Sequence, residues 1–176
     1  MTCRKERRKP MKCRIMTAIM LFHGDELLMM ERSMTRTLNP GMWAAVGGHV
    51  EPEEMSRPRD AILREMFEET GFAPEDIERL TLRYVLLRNK DGELRQQYIY
   101  SGDALRRDFV DSDEGTLHWI PRDQVLDRDI PYIFRKTLEH YFAYGPAEHA
   151  WLGIASADPV TARPRVDWIP LTDPNY

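Results

Sequence analysis

The chain has 176 residues, of which 42% are hydrophobic and 31% are charged, and it carries a formal net charge of −4. This size and composition indicate one globular domain with an adequate core, and they exclude a repeat array or a low-complexity chain. No apolar stretch is long enough to span a bilayer, so we predict no membrane partner. The two cysteines, Cys3 and Cys13, are expected to be free thiols in an N-terminal tail, which favours a reducing, cytoplasmic location.

The first residues form a basic segment. Residues 1–14 contain seven Lys or Arg and one Glu, so the rest of the chain is acidic. We predict a flexible basic tail over 1–13, which is too short to be a DNA-binding domain and is more typical of a solvated terminus. The apolar run 15–22 superficially resembles a signal peptide. Because no small-residue cleavage site follows it and His23-Gly24-Asp25-Glu26 is typical of a hairpin turn, we predict a buried first strand instead.

The remaining pattern alternates strands with helices. The predicted strands are 27–32, 42–46, 80–88, 94–101 and 117–120, with a loop over 35–41 and a hairpin at Asn89-Lys90-Asp91-Gly92. Helical patterns are predicted over 59–70, 122–126 and 131–144. Strands on both sides of a central helix, with another helix late in the chain, indicate an α/β protein with a mixed sheet between helices. Residues 145–176 are predicted to form a final strand or an extended tail packed on a domain over 14–144.

The helix 59–70 is the most informative element. Ser56 or Arg57 can be its cap, Pro58 falls in its first turn, and Gly71 follows where a left-handed residue is favoured. At about 100° per residue, one side is expected to pack and the other to carry charge. The packing side comprises Ile62, Leu63, Met66 and Phe67. The charged side comprises Ala61, Arg64, Glu65, Glu68 and Glu69.

This charged side brings like charges together. Glu65 lies within one turn of Glu68 and Glu69, and like charges at that spacing destabilise a helix. A hard divalent cation, which prefers carboxylate and carbonyl oxygen, would offset the repulsion. For a bare string of glutamates, an ordinary solvated face would be the better interpretation. The preceding Gly47-Gly48 pair, which permits close backbone approach to a ligand, and a further carboxylate on Glu54 favour the cation site.

The same residues resemble the signature of the Nudix hydrolase family. That signature is Gly, five residues, Glu, seven residues, Arg-Glu, an apolar residue, any residue, Glu-Glu, any residue, Gly and an apolar residue. The matching positions are Gly48, Glu54, Arg64, Glu65, Met66, Glu68, Glu69, Gly71 and Phe72. This chain departs from it in one respect, because nine residues, 55–63, separate Glu54 from Arg64. The two extra residues are expected to be absorbed before the helix begins, near Ser56-Arg57-Pro58.

The resemblance implies a Nudix-type α/β/α sandwich and hydrolysis of a nucleoside diphosphate linked to another group. It implies Mg²⁺, with Mn²⁺ as an alternative, held by Glu65, Glu68, Glu69 and the carbonyl of Gly47, with Glu54 as an auxiliary ligand or as the residue that orients a ligand. Arg64 is expected to position the glutamates by ion pairing. The general base could come from this helix, with Glu65 as a catalytic residue, or from a separate loop, where Glu114 is the candidate. For Glu114, an exposed acidic turn is the equally favoured interpretation.

Substrate contacts are less defined. Gly48, His49 and Trp43 are expected to bind substrate, and Tyr84, Tyr98 and Tyr100 are further stacking candidates that core packing explains as well. A non-catalytic nucleotide-sensing module on the same fold is the alternative function. A rearrangement of the isopentenyl diphosphate isomerase type requires an active-site cysteine, and Cys3 and Cys13 lie in the wrong part of the chain for it. A homodimer is compatible with the sequence, although no segment indicates a dimer surface.

Overall fold

A mixed β-sheet forms the centre of the structure, a computed structural model that describes residues 11–35 and 39–173. In these residues the sheet has eight strands, in the order β3-β2-β1-β5-β4-β7-β8, with β6 paired to β2. The strands are β1 (Lys12–His23), β2 (Glu26–Arg32), β3 (Trp43–Ala44), β4 (Ile77–Lys90), β5 (Glu93–Ala104), β6 (Gly115–Pro121), β7 (Ala150–Ala157) and β8 (Pro164–Leu171). The pairs β1–β5 and β4–β7 are parallel, and the other pairs are antiparallel.

Two α-helices cover opposite faces of this sheet. They are α1 (Pro58–Thr70) and α2 (Tyr132–Tyr144). Successive strand residues point to opposite faces, so the continuous buried run 18–21 of β1 supplies both cores. Ala18 and Met20 pack in a cluster with residues of α2, whereas Ile19 and Leu21 pack in a cluster with residues of α1. The predicted α/β/α sandwich with a mixed sheet is confirmed.

The turns follow the local sequence. Gly24 and Asp25 separate β1 from β2, as predicted. Asp91 and Gly92, with φ of 54° and 76°, form the tight turn between β4 and β5, because Asp-Gly tolerates the positive φ that a two-residue hairpin requires. Gly71 ends α1 in the left-handed conformation at φ 74°, and its N–H donates to the carbonyl of Phe67 at 3.0 Å.

Several sequence-based expectations differ from the structure. Cys13 lies within β1, opposite Leu94 of β5, so the sheet begins inside the segment assigned to a flexible tail. Cys3 and residues 1–10 lie outside the described residues. On α1, Ala61 is buried and Phe67 is 60% exposed, the reverse of their expected positions. Only 43–44 of the predicted strand 42–46 form a strand.

The C-terminal segment departs most from expectation. Instead of a final strand or an extended tail, it forms the antiparallel hairpin β7–β8, and β7 adds in parallel to β4. Trp151 and Trp168 pack against the core cluster on the α2 face. The hairpin therefore extends the central sheet by two strands. Within the described residues, no helix is long and apolar enough to cross a membrane.

Candidate functional site

The segment 46–48, which contains Gly47 and Gly48, runs along the edge of β1 where β2 diverges from β1. The N–H groups of Thr17 and Ile19 donate to the carbonyls of Gly48 and Val46 at 2.8 and 3.0 Å. Gly47 has φ of +145°, and a Cβ on it would lie 2.3 Å from the Thr17 carbonyl oxygen. Only glycine permits this approach to β1. In the described residues the carbonyl of Gly47 accepts no hydrogen bond, which leaves its oxygen available to a ligand.

Gly48 brings the backbone against the carboxylate of Glu65. A Cβ on Gly48 would lie 2.5 Å from Cδ and from both carboxylate oxygens of Glu65. The Glu65 side chain, on the second turn of α1, is only 12% exposed. The Gly-Gly segment and α1 therefore enclose one carboxylate of the signature.

Arg64 organises the glutamates around a single guanidinium group. Its Nε and Nη2 donate to the two carboxylate oxygens of Glu54 at 2.9 and 3.0 Å. Its Nη1 donates to Glu65 and to Glu68, both at 2.9 Å, and Nη2 also donates to the carbonyl of His49 at 2.9 Å. A guanidinium has five N–H donors, and these five contacts use all of them. Arg64 thus holds the site together and has no donor left for a phosphate.

Local charge and burial perturb two of the carboxyl groups in opposite directions. The hydrogen bonds from Arg64 lower the pKa of Glu54, because they stabilise its ionised form. Burial raises the pKa of Glu65 despite the hydrogen bond from Arg64. The pKa of Arg64 is raised by its bonds to Glu54 and Glu65, so it stays charged. At Glu65, burial therefore outweighs the hydrogen bond from Arg64.

The two extra residues of the signature do not displace Glu54. Residues 52–54 form one turn of 3-10 helix, Met55 and Ser56 form a turn, and α1 begins at Pro58. The insertion is absorbed before the helix, as predicted, and Glu54 reaches Arg64 through both carboxylate oxygens. The Glu54 carboxylate also accepts from the N–H of Glu51 at 3.0 Å, which fixes the turn.

The donor chemistry suits a hard cation, although the described residues contain no group of three His, Cys, Asp or Glu side chains already arranged around one. The reason is visible at Arg64, which occupies carboxylate oxygens of Glu54, Glu65 and Glu68. Glu68 is 54% exposed and is held there by one hydrogen bond, so it can be redirected at low cost. Oxygen-only donors with an excess of carboxylates match the preference of Mg²⁺.

A cavity of about 680 Å³ lies beside the Gly47–Gly48 backbone on the α2 face of the sheet. Its walls come from β1, the β4–β5 hairpin, the start of α2 and the C-terminal hairpin. Arg88, Arg95 and Tyr132 line it, and none of them was predicted from the sequence. The strands of Arg88 and Arg95 and the helix of Tyr132 were predicted, but which side chains face one cavity depends on strand register and on helix packing. The volume is in the range of small-molecule sites in proteins.

The other predicted site residues have varied surroundings. His49 accepts Arg64 through its carbonyl, and its Nε2 lies 3.2 Å from Nη1 of Arg14. Trp43 packs against the ring of His118 with Arg128 over its own ring, and it is not among the residues lining the cavity. Glu114 lies just before β6, where its carbonyl accepts from the N–H of Ser33 at 3.0 Å.

The three tyrosine candidates are core or near-core residues. Tyr84 is 1% exposed, and its hydroxyl lies 3.0 Å from Nδ1 of His140. Tyr100 is 5% exposed, and burial raises its pKa to about 12. Tyr98 is half-buried and bonded to Gln96 at 2.6 Å. The burial of Tyr84 and Tyr100 leaves little ring surface for stacking on a base.

An α/β/α sandwich with an acidic helix behind a Gly-Gly segment is the architecture of a Nudix-type domain. The family model described as the NUDIX domain matches residues 12–141, so the chain belongs to the Nudix family, as the signature indicated. The match ends within α2 and does not include the β7–β8 hairpin.

Solved structures share this fold at low sequence identity. The MutT protein from Methanosarcina mazei Go1 is 21% identical with a TM-score of 0.65, and the match covers 77% of this chain and 97% of that one. A C. elegans Ap4A hydrolase binary complex is 17% identical with a TM-score of 0.61, covering 74% and 96%. The NUDIX domain of Shewanella oneidensis NrtR complexed with ADP ribose is 16% identical with a TM-score of 0.57, covering 77% and 89%. At these identities the similarity is one of fold.

Proposed function

We propose that the protein is a Mg²⁺-dependent hydrolase that cleaves a diphosphate linkage in a nucleoside diphosphate attached to another group. The observation that carries this proposal is the arrangement around Arg64, which gathers Glu54, Glu65 and Glu68 beside the Gly47–Gly48 backbone. A polyphosphate is negative, so an acidic site binds it only when cations lie between the two. Family membership and the nucleotide named for the NrtR domain support the same class of substrate.

The residues have distinct roles in this proposal. Glu65, Glu68, Glu69 and the carbonyl of Gly47 would hold the cation, which would neutralise phosphate charge and make water a better nucleophile. Glu54 orients Arg64 through two hydrogen bonds, and Arg64 in turn orients Glu65. Gly48 leaves room for the Glu65 carboxylate. A cation held by Glu68 would compete with Arg64 for its carboxylate.

Glu114 is the proposed general base. Replacing it with glutamine removes the proton acceptor and retains the size of the side chain. General-base catalysis contributes about 10²-fold or more, so kcat should fall by at least that factor. A fall of less than roughly threefold would assign the base to the signature helix, where Glu65 is the candidate.

The function is tested by assaying a panel of nucleotides with Mg²⁺ and with Mn²⁺ and measuring released phosphate or pyrophosphate. We expect kcat/KM of about 10⁴ M⁻¹s⁻¹ or above for one class of substrate. Glu68→Gln should remove most turnover without unfolding the protein. Glu53→Gln is the matched control. Glu53 is an exposed carboxylate in the turn next to Glu54, and its replacement by glutamine removes the same charge.

The alternative function, a nucleotide-sensing module, predicts a different result from the same panel. In that case a nucleotide such as ADP-ribose, the ligand of the NrtR domain, would bind and remain intact. Calorimetric binding without turnover in Mg²⁺ and Mn²⁺ would favour the sensor and overturn the hydrolase.

A further inference from the structure

Three arginines lie side by side across three neighbouring strands. Arg14 of β1 is opposite Arg95 of β5, and Arg95 is opposite Arg88 of β4. Residues directly opposite each other in a sheet point to the same face. Tyr84 and Leu86 precede Arg88 at two-residue spacing and pack in the α2-side cluster, so the three arginines share the α2 face. We call these three residues the arginine row.

The charges in this row are not balanced. Like charges directly opposite each other destabilise a sheet. Glu93 offsets two of them, because its carboxylate accepts Arg14 at 3.0 and 3.1 Å and Arg95 at 2.7 Å. Within the part of the chain that the structure describes, Arg88 has no hydrogen bond or ion pair. It is half-buried, and burial and the charge of Arg95 lower its pKa, while the charge of Glu93 raises it by a smaller amount. The guanidinium nitrogens of Arg88 are not among the fully buried unpaired atoms, so they are accessible to an anion that enters the cavity.

Arg88 and Arg95 line the 680 Å³ cavity beside Gly47 and Gly48. The sheet continues from β4 into the β7–β8 hairpin, where Ala155 is the cross-strand neighbour of Arg88, and residues of this hairpin form another part of the cavity wall. Arg165 of this hairpin also lines the cavity, but Asp167 neutralises it through bonds of 2.9 and 2.7 Å. Because the family match ends at 141, this wall is a feature of the chain beyond the matched domain.

The arginine row and the glutamates are connected through one residue. Nη1 of Arg14 lies 3.2 Å from Nε2 of His49, and the carbonyl of His49 accepts Nη2 of Arg64. Gly48 lines the cavity and also borders the Glu65 carboxylate, so a ligand held at the glutamates has the cavity with Arg88 beside it.

We propose that the arginine row binds a phosphate group of the substrate that lies beyond the diphosphate being cleaved, with Arg88 as the contacting residue. Glu93 positions Arg14 and Arg95 beside Arg88. This inference rests on the proposed function and adds the substrate class. The preferred substrate has at least one phosphate more than the cleaved linkage, either in a longer polyphosphate chain or on the attached group.

Direct binding is the first test. Metal-free protein is titrated with inorganic tripolyphosphate by calorimetry, in the wild type, Arg88→Gln and Arg79→Gln. We expect Arg88→Gln to weaken binding roughly tenfold or more, because a charged hydrogen bond contributes that much. Arg79→Gln is the matched control, because Arg79 lies on the same strand, is exposed and pairs with Asp103 at 2.9 Å. Equal weakening in both variants, or none in Arg88→Gln, would overturn the inference.

Kinetics supply the second test. Arg88→Gln should raise KM roughly tenfold or more for substrates with the extra phosphate, with kcat unchanged, and should leave nucleotide sugars without it within about twofold. A longer chain and a phosphorylated attached group are compared as separate substrates, and the one whose KM responds identifies the source of the phosphate. Equal changes for all substrates would contradict the assignment.

Stability separates a binding role from a structural one. Removing Arg88 relieves repulsion with Arg95, so Arg88→Gln should melt at or above the wild-type temperature, and Arg88→Lys should retain part of the tripolyphosphate affinity. A lower melting temperature for Arg88→Gln would indicate a structural residue and overturn the proposal. The proposed hydrolysis is tested separately from the arginine row. Arg88-dependent binding of tripolyphosphate without turnover of any nucleotide would refute hydrolysis and leave the proposal for the arginine row standing.

Discussion

Replacing Gly48 with alanine should lower the catalytic rate and leave the free energy of unfolding nearly unchanged. The new Cβ would lie 2.5 Å from Cδ and both carboxylate oxygens of Glu65, whereas ordinary contacts are about 3.5–4.0 Å. The carboxylate therefore has to move by about 1 Å. Because the obstructing atoms are the end of a flexible side chain, α1 itself can stay in place.

The expected magnitudes follow from this geometry. Displacing a catalytic group by about 1 Å lowers the rate on the order of 10²-fold. Gly48 is not among the glycines with positive φ, so alanine can adopt its backbone conformation. A compatible Gly→Ala change stabilises by about 0.4–1 kcal/mol through the unfolded chain, which offsets part of the disturbed Arg64–Glu65 contact. We expect kcat to fall about 10²-fold while the free energy of unfolding changes by less than about 1 kcal/mol.

Gly47→Ala is the contrasting variant. Its Cβ would lie 2.3 Å from the backbone oxygen of Thr17, and φ of +145° disfavours any side chain. Because the backbone of β1 cannot move away without disturbing the sheet, Gly47→Ala should lose both stability and activity. Urea unfolding and steady-state kinetics on both variants measure the two effects. Wild-type kcat in Gly48→Ala, with the fold intact, would show that the position of Glu65 does not control turnover and would refute this reasoning.

Three further results are expected. Arg64→Lys replaces five forked donors with three on one nitrogen and cannot join Glu54, Glu65 and Glu68 together, so kcat should fall about 10–100-fold, whereas the exposed Arg57→Lys should have no effect. Millimolar Mg²⁺ should raise the wild-type melting temperature, and less so in Glu68→Gln, because it binds only the folded protein; an unchanged melt would argue against an assembled site. Burial lowers the pKa of His140 below its ordinary 6.5, so the folded state binds fewer protons and stability should fall as pH drops below about 6.5. His140→Gln should flatten this dependence in urea unfolding between pH 8 and 5, and an equal slope in both proteins would exclude His140 as its source.

The local pattern was sufficient to predict the elements around the glutamates. Helix formers, Pro58 and Gly71 fixed α1 to within one residue, since caps and propensity act over a few residues. The predicted direction of the buried face of α1 was less accurate. Periodicity gives the angles between side chains but not the direction of the sheet, and here Ala61 faces the core while Phe67 faces outward.

Long-range pairing was not accessible from the pattern. The apolar residues of β7 predicted a strand, but its parallel pairing with β4 joins segments more than 60 residues apart in the chain. The arginine row has the same origin, because Arg14 and Arg95 are neighbours only through the register of β1 with β5. A one-residue shift would place one of them on the opposite face.

The two charged clusters have opposite imbalances. Around Arg64, one guanidinium serves Glu54, Glu65 and Glu68. Around Glu93, one carboxylate serves two arginines, and Arg88 has no hydrogen-bond or ion-pair partner among the described residues. Each imbalance destabilises the folded protein through repulsion between like charges. A phosphate-bearing ligand that arrives with divalent cations would offset both, because its cations are attracted to the glutamates and its terminal phosphate to Arg88. This complementarity predicts that tripolyphosphate and Mg²⁺ together raise the melting temperature more than the sum of their separate effects, and Arg88→Gln should remove that excess.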